Sequence, residues 1–198
     1  MTRFMMGLMM GLSRFMAMLG GLVLTALILL TCVSIAGRLL NGFFHGSLMQ
    51  GVFPGFADWA IGIGIGPITG DFELVEAGVA FAIFAFMPLC QITGSHASVD
   101  IFSNMLPRGV NRVLSVVIDA VFAAVLVLIA VQLAKGMESK MSYGETSFLL
   151  QFPVWWAYAA SLVGATVAAI VGIYVALVRL IEAVTGRSIL SDDLEAGV

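Results

Sequence analysis

Apolar residues come in four long runs along this chain, each bounded by charges, glycine or proline. They cover residues 15–36, 74–92, 113–134 and 153–181. A helix rises about 1.5 Å per residue and a bilayer's hydrocarbon is about 30 Å thick, so each run reads as a spanning helix. The last run, at about 43 Å, exceeds that thickness and must tilt or project. The pattern predicts an all-α membrane protein, one domain over residues 1–198, with four transmembrane helices and short interfacial segments.

The intervals between the runs differ in character. Residues 1–15 are rich in methionine and carry Arg3 and Arg14; they read either as an interfacial lead-in or as an early start to the first helix. Residues 41–70 are apolar but broken by eight glycines and by Pro54 and Pro67. They predict an interfacial excursion with a short helix over 56–61 anchored by Trp59. The repeat at 61–66, Ile-Gly three times over, is not a phosphate loop, because no strand precedes it and no lysine follows. Between the second and third runs, residues 97–106 allow one or two amphipathic turns before Pro107 and Gly109. Residues 135–151 predict a polar loop, and Pro153 suits the first turn of the last helix.

Composition agrees with the pattern. The chain is 61% hydrophobic and 11% charged, against about a quarter charged in soluble domains. A net charge of -3 gives no reason to expect nucleic acid. Four spans put both termini on one side. Arg3, Arg14, Arg108, Arg112, Arg179 and Arg187 fall on that side, and Arg38, Lys135 and Lys140 on the other. The positive-inside rule then puts both termini in the cytoplasm.

Candidate chemistry is sparse. Cys32 and Cys90 lie inside apolar runs and read as small hydrophobes. His45 and His96 fall on opposite sides of the membrane, which excludes a shared haem or metal. No nucleophile–base cluster is present, so neither an enzyme nor a bound cofactor is expected. His96 and Asp100 are spaced to pair on one helical turn. Arg38, Glu73 and Glu76 share the outer interface, where an interhelical ion pair is expected. Asp119 is the one acid well inside a span; it reads as a packing or pairing group, or as a coupling site in an independent small transporter or channel. Ala160, Gly164, Ala168, Gly172 and Ala176 recur every fourth residue of the last run. Such a row admits a second helix at close range, from this chain or from another subunit.

In order and spacing the chain resembles the small membrane subunit, DctQ type, of tripartite ATP-independent periplasmic (TRAP) transporters. The residues that carry the resemblance are Arg38 ending the first span and Glu73-Leu74 opening the second. After them come Gly94-x-His96-x-x-Val99-Asp100 and Leu106-Pro107 before Arg112. It covers residues 15–182. Residues 41–70 are longer and richer in glycine than is usual in that family, and Ala97 stands where a bulky aliphatic residue is the habit. The resemblance implies four helices with both ends in the cytoplasm of a bacterial inner membrane. It implies two partners, a large permease subunit that carries substrate and sodium sites and a periplasmic substrate-binding protein. The role it implies is accessory, to brace the large subunit during uptake of a small solute, often a carboxylate.

Overall fold

A computed structural model describes residues 2–94 and 108–185. The helices are α1 (Thr2–Phe44), α2 (Ser47–Val52), α3 (Pro54–Gly62), α4 (Asp71–Thr93), α5 (Arg108–Tyr143) and α6 (Trp155–Thr185). Four of them, α1, α4, α5 and α6, are long and apolar enough to cross a membrane. The expected amphipathic turn over 97–106, and with it His96 and Asp100, lies outside the described residues. So does the polar tail from 186 on.

The helices outrun the apolar stretches that announced them. The 43 residues of α1 make a rod of about 64 Å. It begins at Thr2, so the methionine-rich lead-in is helix, and it continues past Arg38 to Phe44. Residues 135–143, expected as loop, are the last turns of α5. Lysine, methionine and glutamate there are good helix formers, and the helix runs on through Gly136 until Gly144. Gly144 takes the left-handed conformation, φ 63°, that ends a helix without a Cβ penalty. Conversely Pro153 stands two residues before α6, bridged to Thr146 across the connection. The 41–70 excursion holds two short helices in place of one, and the edge-on and stacked rings of Phe43, Phe44, Phe56 and Trp59 tie the second, α3, to the end of α1.

The four long helices form an open row, in the order α1–α4–α6–α5. Each central helix packs along two neighbours, and each edge helix packs along one. Burial follows that order: 50% of the most apolar stretch of α6 is buried, against 11% of that of α5. A closed bundle is what a hydrophobic effect would favour in water. In lipid an exposed leucine costs nothing, so the row need not close. Below, the end where α1 begins and α6 finishes is called proximal, and the end carrying α2, α3 and the α5–α6 connection distal.

Small residues set each seam. Gly20 of α1 rests on Ala82 and Ala85 of α4, and Gly78 of α4 receives the Leu27 side chain. Gly164 of α6 meets the Phe84–Ala85 backbone, and Gly172 meets Ala123 and Leu126 of α5. At the proximal end Met6, Met9 and Met10 bury themselves with Ile92, Val171, Val175 and Val178. Unbranched methionines fill the irregular gap where three helices converge. At the distal end Gly37 lies directly under the Gly66 carbonyl, whose oxygen would be 2.1 Å from any Cβ added there. Gly37→Ala is therefore expected to lift residues 62–70 off α1. Limited proteolysis of that stretch should quicken while helical content stays the same; unchanged cleavage would show the contact to be dispensable.

Candidate functional site

The ionisable groups of the spans gather at the two ends. At the distal end Asp71 and Glu73 occupy the first turn of α4, where a helix N-terminus favours negative charge. Ser34 of α1 donates from Oγ to Asp71 Oδ2 at 2.5 Å and accepts from the Ile68 amide at 3.2 Å. One hydroxyl thus fastens α1, the 62–70 segment and α4. Glu73, 7% exposed, turns the other way. Its Oε1 accepts from the Leu149 amide at 2.7 Å and its Oε2 from the Leu150 amide at 3.0 Å. The carboxylate acts as an anchor for the α5–α6 connection.

The expected pairing of Arg38 with Glu73 or Glu76 is not formed. Arg38 is exposed and exerts its charge on Asp71, and Glu73 is occupied by the two loop amides. Matched depth placed the three charges at one level but not on facing sides of their helices. Glu76 is exposed and lines a cavity between α4 and α6. His45, also at this end, bonds through Nδ1 to the Asn41 carbonyl oxygen at 2.9 Å.

Toward the proximal end Asp119 of α5 meets Arg179 of α6, Oδ2 to Nε at 3.5 Å. Arg179 also reaches Glu182 Oε2 through Nη1 at 3.3 Å. The cation stands between two acids, one on each side of the seam, and favours this register of α5 against α6 only modestly, because it is half-exposed. A packing or pairing role was expected of Asp119, and Arg179 is the partner that expectation did not name. The signal was present, since both charges lie near the same end of adjacent spans.

Of the small row on α6, Gly164, Ala168 and Gly172 are buried, Ala176 is half-buried and Ala160 is exposed. The row serves two neighbours, because four residues overshoot one turn by about 40° and the ridge winds from α4 toward α5. Among the described residues no group of three His, Cys, Asp or Glu side chains is placed to hold a metal ion.

These features make a scaffold with fastened ends. The family model for the DctQ component of tripartite ATP-independent periplasmic transporters matches residues 62–183. The chain belongs to the DctQ family. It is thus the small membrane subunit of a TRAP transporter, a multi-pass membrane protein and a transport component outside the enzyme families. No curated protein and no solved structure matches it. The DctQ match takes in α4 and α5 entire and all but the last two residues of α6, and it begins at the end of α3, so it covers both central helices of the row.

Proposed function

We propose that this DctQ subunit braces the large permease subunit of its transporter through the open sides of the helix row. The transporter then carries out sodium-driven uptake of a small carboxylate solute delivered by a periplasmic binding protein. In this reading the membrane is the bacterial inner membrane, the proximal end faces the cytoplasm and the distal end the periplasm. The observation that carries the proposal is where polarity lies. Buried polar side chains such as Ser34, Glu73, Gln91 and Glu182 sit toward the ends. The middle of the seams, at Ala82, Ala85, Leu126, Ala165 and Ala168, is apolar and closely packed. A transporter that moves ions by itself needs polar ligands and broken helices at mid-depth. A brace needs rigid seams and long free flanks, and α1 and α5 supply the flanks.

The competing reading, an independent transporter or channel using Asp119, makes the opposite demand on that residue. Asp119→Asn removes the carboxylate charge and keeps its shape, and Arg179 still has Glu182. Sodium-driven uptake by the assembled complex should be largely retained, with the small subunit still co-purifying with the large one. Uptake by vesicles containing this chain alone, or its abolition by Asp119→Asn in a normally assembled complex, would overturn the brace.

A further inference from the structure

The distal half of the α4–α6 seam stands open. The two helices touch where Gly164 meets Phe84, and a cavity of about 550 Å³ fills the space between them from there to the distal end. Its α4 wall runs from Phe72 to Phe84, about 18 Å of helix. Ala77 and Ala80 keep that wall low, Tyr158 and Ser161 of α6 and Leu133 of α5 line it too, and Phe148 and Phe152 of the connection contribute at the distal end.

The dimensions select the occupant. A partner helix about 10 Å across and 18 Å long would need roughly 1,400 Å³, well beyond the cavity. The volume is likewise too small for a whole two-chain lipid and more than a single side chain fills; it takes one acyl chain, with the rest of the lipid outside. Its lining is mostly apolar, as an acyl chain is. Charge then distinguishes among lipids. Both Glu73 oxygens hold loop amides. Glu76 lines the same cavity, is exposed, and has no hydrogen bond or ion pair with any described residue. It lies about 7 Å from Asp71 along the helix, one to two turns in from the distal end of α4. A cationic group is favoured beside Glu76, and an anionic one is repelled by both acids.

We propose that the groove between α4 and α6 binds one phospholipid with an ammonium-bearing headgroup, its acyl chain over Ala77 and Ala80 and its ammonium at Glu76. The site is built from this chain alone, so it stands or falls separately from the contact with the permease. A lipid seated there wedges the distal ends of the two central helices at a fixed separation.

Native mass spectrometry of the full-length purified subunit tests this, with palmitoyl-oleoyl phosphatidylethanolamine and phosphatidylglycerol as probes of identical chain composition. One bound lipid is expected, with a roughly five-fold preference for phosphatidylethanolamine, the size of one partly screened ion pair. Glu76→Gln should reduce the preference to near parity, and Glu76→Asp should keep it. Ala80→Trp should reduce retention of both lipids by filling the groove; Ala77→Leu, a smaller block, serves if the tryptophan variant does not fold. Equal retention of the two lipids by the unmodified chain, a preference that survives Glu76→Gln, or full retention in the blocked variant would each overturn the proposal.

Discussion

Gly164→Leu is expected to keep the α4–α6 seam from closing, with loss of folded subunit from the membrane. A Cβ at Gly164 would lie 2.9 Å from Phe84 Cβ, 3.1 Å from the Phe84 carbonyl carbon and 3.2 Å from the Ala85 nitrogen. Two of those atoms are backbone and cannot rotate away. Gly164→Ala alone should cost about 1–3 kcal/mol, the usual penalty for overpacking a tight interior. Leucine adds three more carbons on the same line of contact. Gly172 is the internal control. Its added Cβ would meet Leu126 Cδ1 at 3.1 Å, the far end of a flexible side chain, and Ala123 Cα at 3.6 Å. The gain in helix propensity from glycine to alanine, up to about 1 kcal/mol, should nearly offset that contact. Thermal unfolding in detergent should therefore rank Gly172→Ala close to the unmodified chain, Gly164→Ala well below it and Gly164→Leu lowest. The reverse order for the two alanine variants would mean that α4, not α5, is the more yielding neighbour of α6.

Glu73→Ala should release the connection between α5 and α6. The Leu149 and Leu150 amides would each lose a charged acceptor, and a partly buried amide without one costs about 1–3 kcal/mol. The Leu150 side chain also packs over Gly70, so the connection closes onto the start of α4 through both backbone and side chain. Freed of its anchor, the segment can swing out and let water satisfy the amides, so the damage should be local. Amide hydrogen exchange across residues 144–154 should accelerate by about ten- to a hundred-fold, since 1.4 kcal/mol is a factor of ten. Glu73→Gln keeps one carbonyl oxygen and should fall between. Unchanged protection in the alanine variant would show that the bridge between Thr146 and Pro153 holds the segment unaided.

Hydropathy made the four spans and their family legible because both depend on the order and spacing of residues along the chain. It did not give the helix ends. An apolar run reports where lipid lies, and α1 and α5 continue beyond it on helix propensity until a special backbone conformation stops them, as at Gly144. It also did not give azimuth. Arg38 and Glu73 stand near one level, but one faces outward and the other faces the α5–α6 connection; depth along a helix says nothing about which side a residue takes. Asp119 and Arg179 could have been paired by the same depth argument, and there the two sides do face each other. The small row on α6 was visible as a period, but its division between two neighbours depends on helix order in space, which no local pattern carries. Ser34 gave no signal at all, because one serine in an apolar run is unremarkable until the acid opposite it is known.

The order of helices in the row differs from their order in the chain, and this has a consequence for how the subunit is made. The first two long helices, α1 and α4, are neighbours and can pair as soon as both have left the ribosome. The next to emerge, α5, packs along its length only against α6. About 40 residues separate the end of α5 from the end of α6, which at ordinary translation speeds is a delay of roughly 2–8 s. For that interval α5 lacks the neighbour it packs against along its length. The last helix made is thus the one that joins two separate pieces, and a chain interrupted before α6 leaves α1 with α4 on one side and α5 on the other, with nothing between them.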